Sequence, residues 1–234
     1  MSTMSTGTFV GLLAICAVAQ CQLFDALYTY VLGKAAGTTI PMTSSNQPVN
    51  VSIGMSLIHL TSLNSKSGDA ELEVWMNFGW TDTRLSWDPT TFNDTTVIRL
   101  PASRIWNPDV LLFKGHTSSP ETLTQVDNRG GVMYMPPTTL KTWCYVGNYT
   151  SDGSVTCRLK YGSWAYDVSV LNVVESSNEV DLSNYDSDGT EWELTEQKVE
   201  RKVTHYACCS YTDVVFSLTF KEKGRRNSVW NIFD

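Results

Sequence analysis

From Glu71 to Trp80 the chain alternates, with Leu72, Val74, Met76, Phe78 and Trp80 on one phase and Glu73, Trp75 and Asn77 on the other. Successive side chains of a β-strand point to opposite faces, so a period of two commits this segment to a half-buried strand whose apolar phase faces a core. The same period returns at Val49–Ile53, Val132–Met135, Val168–Val174 and Val214–Phe220. Turn signals separate these runs at Ser67-Gly68-Asp69, Asp127 to Gly131, Asp152-Gly153 and Asp186 to Gly189. Ahead of them Leu23, Leu27, Tyr30 and Val31 recur at helical spacing, which predicts a helix from Gln22 to Lys34 closed by Gly33 or Gly37. Short strands with regular turns and one leading helix predict a single all-β sandwich. The polar stretch from Glu175 to Glu191, with six acidic residues, is expected to be a long mobile loop.

The first 21 residues carry no charged side chain, and Phe9 to Val18 has the length of a signal-peptide core but is too short to span a bilayer. Small residues allow cleavage after Ala19 or after Cys21; the second is favoured because it removes Cys16 and Cys21 together and leaves Cys144, Cys157, Cys208 and Cys209, an even set. Export favours disulfides in that set, and four cysteines allow three connectivities. Sequons at Asn50-Val51-Ser52, Asn93-Asp94-Thr95 and Asn148-Tyr149-Thr150 fit the secretory route as N-glycosylation candidates. No second apolar stretch reaches the length of a spanning helix, so a soluble, secreted mature chain is expected. The formal charge of −7 opposes nucleic acid and anionic membrane as partners and suits a cationic ligand.

Trp75 falls on the polar phase of its strand, and a large ring facing outward marks an interface unless a loop covers it. Met133 and Met135 share one face of their strand, a pattern that more often marks core filling than a ligand surface. Cys208 and Cys209 are adjacent. Their Cα atoms, about 3.8 Å apart across a trans peptide, lie below the ordinary disulfide range, so bonding them makes a strained ring of the kind kept at functional sites. Tyr206 and Tyr211 flank the pair. Cys144 and Cys157 enclose 12 residues, and a bond between them contributes ~3 kcal/mol in the chain-entropy description. His59, His116 and His205 have no metal-ligand spacing, and no nucleophile elbow, phosphate loop or dinucleotide fingerprint is present, so neither enzyme activity nor a cofactor is expected.

Taken in order, Trp106-Asn107-Pro108-Asp109, the 12-residue cysteine loop, Gly162-Ser163-Trp164 and the Cys208-Cys209 pair resemble the acetylcholine-binding proteins, soluble relatives of nicotinic receptor extracellular domains. The resemblance runs from the N-terminal helix to Phe220-Lys221-Glu222-Lys223-Gly224-Arg225. It implies a single domain over 22–234, an immunoglobulin-like twisted sandwich of about ten strands, with disulfides Cys144–Cys157 and Cys208–Cys209. It also implies a homopentamer that binds acetylcholine, nicotine and similar cations between subunits. The principal face would hold Phe113, Trp164, Tyr206, Cys208, Cys209 and Tyr211, with Trp164 offering its π-face to the ligand nitrogen. Trp75, Leu123, Met133 and Met135 would form the complementary face, and Lys160 with Asp213 the charged pair that follows Tyr206 as the cysteine loop closes. Channel subunits carry a cysteine loop one residue longer with an aromatic, proline-containing tip. Here the tip, Gly147 to Gly153, is polar, which implies the soluble branch rather than a channel. Two positions depart from the family: Phe113 stands where Tyr is usual, and only Ser210 separates Cys209 from Tyr211, a spacing expected to displace Tyr211.

Overall fold

A computed structural model describes residues 23–35, 39–42 and 47–224. The expected leader, with Cys16 and Cys21, lies outside the described residues. Residues 23–34 form helix α1, which buries Leu27 and Val31, two of the four positions that carry its sequence period. Gly33 is helical rather than terminal. Among the described residues twelve strands follow, more than the ten or so expected, because several short edge strands carry no readable period.

The chain divides into two compact units. The smaller comprises α1 and residues 81–107 and 123–132. Its strands β3 (Val97–Pro101) and β6 (Leu123–Asp127) pair antiparallel. Asp82 is 1% exposed and accepts both Arg84 Nε and Nη2, at 2.8 and 2.7 Å, while Arg84 reaches the Thr39 carbonyl at 3.0 Å. A paired buried carboxylate of this kind is costly to break, about 3–5 kcal/mol.

The larger unit is a two-sheet sandwich. In one sheet β1 (Val49–Leu63) lies between β10 (Leu171–Glu175), parallel, and β2 (Asp69–Thr81), antiparallel; β2 continues to β8 (Pro137–Trp143) and β8 to β5 (His116–Ser118). The other has the order β11 (Trp192–His205), β12 (Ser210–Glu222), β9 (Ser154–Ser163), β4 (Val110–Leu112). Both sheets show the alternation expected from sequence: Leu72, Val74 and Met76 are buried in β2, and Val214, Phe216, Leu218 and Phe220 in β12. Phe78, assigned to the core by its phase, is only half-buried and stacks on Tyr134 at 6.3 Å, while Trp80, next on the same phase, is buried. Between the sheets the Val173 amide donates to Thr212 Oγ1, and Arg201 Nε donates to the Val173 carbonyl.

The Glu175–Glu191 stretch differs from the loop expected. It runs along the free edge of β1, where Leu57 donates to Asp181 O, Asp181 to Met55 O and Asp186 to Ile58 O. Gly54 admits this approach, since a Cβ there would lie 2.3 Å from Ser176 Oγ. Polar composition concealed the segment because its pairing is made by backbone bonds together with polar contacts such as Ser56 Oγ to the Asp181 carboxylate at 2.9 Å, neither of which leaves an apolar period.

Cys144 and Cys157 are bonded. Their loop is braced by the Tyr145–Thr156 bridge and the short helix α2 (Tyr149–Asp152), which ends on Gly153 in the left-handed region at φ 78°. Gly68, at φ 81°, lets the preceding hairpin approach so closely that a Cβ would meet the Cys144 carbonyl oxygen at 2.3 Å. Asn50, Asn93 and Asn148 are all exposed.

Candidate functional site

The outward face of the sheet formed by β11, β12, β9 and β4 builds the site through its register. Tyr211 lies opposite Thr204, Asp213 opposite both Lys202 and Gly162, and Val215 opposite Lys160. Residues that alternate in sequence therefore become neighbours across three strands. At the end of this face lies an open cavity of about 330 Å³, lined by Phe113, Trp164, Tyr206 and Tyr211 together with Lys160, Asp213, Thr204, Thr212 and Ser163. Four aromatic residues expected from sequence are thus brought together, with the expected charged pair.

Trp164 is 72% exposed, yet its backbone is fixed on both sides. The Asp109 carboxylate accepts from Ser163 Oγ and from the Ala165 amide, each at 2.7 Å, and Ser163 Oγ in turn accepts the Tyr166 amide at 2.9 Å. A charged acceptor bracketing the ring holds it outward against the tendency of an apolar surface to bury itself. Phe113 meets Trp164 edge-to-face at 6.2 Å, and its amide donates to the Lys160 carbonyl. Gly162 lies beneath Phe113; a Cβ on it would approach the ring's Cζ to 3.0 Å.

Lys160 Nζ sits 2.9 Å from Asp213 Oδ2 and 5.1 Å from the centroid of the Phe113 ring. The second Asp213 oxygen is buried and accepts no hydrogen bond in the structure. Lys160 is therefore the countercharge of a carboxylate whose side chain is 4% exposed, and it already occupies the face of Phe113.

The hairpin between β11 and β12 carries the rest. His205 pairs with Ser210, and the Tyr206 amide donates to the Cys209 carbonyl at 2.9 Å, closing a tight turn over 206–209. The short Cys209–Tyr211 spacing does not expel Tyr211: it lies in β12, faces the cavity and meets the Tyr206 ring at 5.9 Å, nearly perpendicular. The expected displacement fails because the strand starts at Ser210, so one residue suffices to return the chain to register.

Cys208 and Cys209 are thiols in this structure, so the vicinal bond implied by the resemblance is not formed in it. Their adjacency on a trans backbone holds the Cα atoms below ordinary disulfide separation. Contact with Cys208 pushes the Cys209 thiol up, and the hydrogen bond with Cys209 likewise pushes the Tyr211 phenol up.

The other expected ligand residues lie on different strands. Trp75 on β2 is 39% exposed between buried Val74 and Met76, as its phase requires. Met133, on β7 (Gly131–Tyr134), and Met135 just after it are 39% and 41% exposed, so they are not core filling. Leu123, in the smaller unit, is also exposed. Thr204, Ser163 and Thr212 also line the cavity, beyond the residues expected from sequence; for Thr204 the available signal is the phase it shares with Tyr206, two residues away. Among the described residues no group of three or more His, Cys, Asp or Glu side chains could hold a metal ion, and no helix is long and apolar enough to cross a membrane.

Residues 25–224 match the family described as the neurotransmitter-gated ion-channel ligand binding domain. The chain belongs to that family. Its relatives include the neuronal acetylcholine receptor subunit beta-4 of Homo sapiens, 29% identical over 222 residues that cover 91% of this chain and 44% of the receptor. Another is the acetylcholine receptor subunit alpha-type acr-16 of Caenorhabditis elegans, 31% identical over 190 residues, covering 78% of this chain and 38% of the receptor. The chain thus spans less than half the length of these relatives. As a ligand-binding domain of this family, it carries its four-ring cavity on one sheet face.

Proposed function

We infer that this domain captures acetylcholine, nicotine and related organic cations in the aromatic cavity, as a soluble, secreted homopentamer without catalysis. The observation that carries the reading is the convergence of Phe113, Trp164, Tyr206 and Tyr211 on one open cavity of about 330 Å³. Each cation–π contact contributes ~0.5–2 kcal/mol according to its desolvation. Several rings plus apolar burial reach the scale of micromolar binding, about −8.2 kcal/mol.

In this reading Trp75, Leu123, Met133 and Met135 of a neighbouring subunit close the cage, which gives their exposure a purpose. In an oxidising compartment the Cys208 and Cys209 thiols give up two protons and two electrons to an exchanging external disulfide, which is reduced to two thiols, and join as a vicinal bond; the hairpin then moves inward over the ligand with Tyr206, Lys160 and Asp213. The domain extends over 22–234 after removal of a leader, with glycans at Asn50, Asn93 and Asn148. The polar tip of the cysteine loop supports the soluble form. A receptor subunit's extracellular region is the second reading, favoured by relatives more than twice as long as the matched region. Natural transcripts that continue into apolar spans would decide for it.

Titration of tryptophan fluorescence with acetylcholine and nicotine tests the cation reading directly. Saturable quenching that is lost in Trp164→Ala is expected, and no change at millimolar ligand would refute it.

A further inference from the structure

Residues 92–95 form a turn with a rare backbone. Asn93 has φ 53° and Asp94 φ 55°, the two non-glycine residues with positive φ among the described residues. The Thr95 amide donates to the Phe92 carbonyl at 3.1 Å and closes the pair into a type I′ turn. Asn and Asp tolerate this backbone better than most residues that carry a Cβ, so the turn suits its sequence. It is also anchored at both ends. The Asp94 amide donates to the Pro89 carbonyl at 2.9 Å, and the indole N–H of buried Trp87 donates to the Thr95 carbonyl at 2.7 Å.

Asn93-Asp94-Thr95 is a sequon, and Phe92 immediately precedes it. A two-residue turn sets its first and fourth residues side by side, so Phe92 and Thr95 are neighbours on either side of Asn93. Asn93 is exposed and Phe92 only half-buried, which leaves part of an aromatic ring open beside the amide that would carry a glycan. Phe92 also meets Tyr30 of α1 at 5.4 Å between ring centroids. Lys34 Nζ lies 4.1 Å from the Tyr30 centroid and donates to the Ser86 carbonyl at 3.1 Å. Helix α1 buries only Leu27 and Val31, so this series of contacts is a large part of its hold on the smaller unit. The Asn50 sequon is built differently: no aromatic residue precedes it within three positions, and its side-chain oxygen already accepts from Asn172 Nδ2 at 2.7 Å.

N-glycosylation joins the Asn93 amide nitrogen to the anomeric carbon of N-acetylglucosamine, with loss of one amide proton and release of the donor's pyrophosphate. That first sugar has a face of axial C–H groups, which is drawn to the negative π-face of an aromatic ring as both leave water. Resting on the reading that the chain is exported and glycosylated, we propose that the first sugar on Asn93 docks on the Phe92 ring and pins helix α1 through Tyr30. The glycan is thereby a structural part of the domain at its first residue, and only its outer sugars are solvent-borne.

The full chain secreted from cultured mammalian cells, its glycans trimmed enzymatically to single N-acetylglucosamines, tests this by urea denaturation at one fixed protein concentration. Asn93→Gln should raise the unfolding constant about tenfold more in the wild-type background than in Phe92→Leu, the scale of ~55 Å² of apolar surface returned to water. Gln tolerates the left-handed turn less well than Asn, but that cost is common to both backgrounds and cancels in the cycle. With glycosylation blocked during synthesis the difference between backgrounds should vanish. Amide exchange in residues 23–34 should be faster in Asn93→Gln than in the wild type. Equal effects in the two backgrounds, a difference that survives without the glycan, or unchanged exchange in α1 overturns the proposal. Mass spectrometry that finds Asn93 bare in the secreted protein overturns the glycosylation reading beneath it as well.

Discussion

At Phe113 the ring occupies the place expected of an aromatic cage residue, but the hydroxyl usual in the family is absent. Phe113→Tyr should tighten acetylcholine by ~0.5–1.5 kcal/mol, the net value of one ordinary hydrogen bond. Calorimetry on both proteins checks it, and identical affinities would show that the position contributes only its ring. The Cys209 thiol, pushed up by Cys208, offers a second measurement at this scale. A raised thiol pKa means less thiolate at neutral pH, so alkylation of the reduced protein at Cys209 should be slower than that of an ordinary exposed cysteine and should accelerate as pH rises. Site-resolved mass spectrometry after timed iodoacetamide treatment reads both. Thr204 and Ser163 are not legible at this scale, because small hydroxyl residues have no signature until register places them beside rings.

Elements position these residues, and Asp109 shows how. Its carboxylate grips the chain on both sides of Trp164, at Ser163 and Ala165. Asp109→Ala removes two charge-assisted bonds and leaves Ser163 and the Ala165 amide to find other partners, so nicotine affinity should fall about tenfold. The expected signature is a ligand effect with the secondary structure retained by circular dichroism; undiminished affinity would mean that the Trp164 segment holds itself. The cysteine loop belongs to the same scale. Replacing Cys144 and Cys157 together by Ser should destabilise the domain by ~3 kcal/mol, the entropy of reopening a loop of this size. Urea denaturation should show an earlier midpoint, with a slope equal to or slightly steeper than the wild type's because the opened loop makes the denatured chain less compact. The segment after β10 was the element least legible in sequence. Its acidic residues read as a solvated loop, whereas its backbone pairs with β1 at Leu57 and Met55.

For the whole molecule, the decisive expectation is assembly. The cavity gathers four rings from one chain, and the exposed Trp75, Met133 and Met135 have a use once a second subunit supplies them. Sedimentation equilibrium should give about five times the chain mass. Trp75→Ala should weaken acetylcholine by ~0.5–2 kcal/mol, the loss of one cation–π partner, without dissociating the oligomer. A monomer that binds acetylcholine with full affinity would remove the need for a complementary face.

Local pattern alone carried the strands: the phase of Glu71–Trp80 placed Leu72 inside and Trp75 outside, since a pleated backbone leaves no other choice. The turn glycines at 68 and 153 were likewise legible, because left-handed backbone favours glycine wherever it occurs. Resemblance to a known family supplied which rings belong together. Only tertiary structure decided their register, in which Thr204 faces Tyr211, Lys202 faces Asp213 and Lys160 lies over Phe113. Cross-strand neighbours are set by hydrogen-bond pairing between segments far apart in sequence, and no local period encodes that pairing.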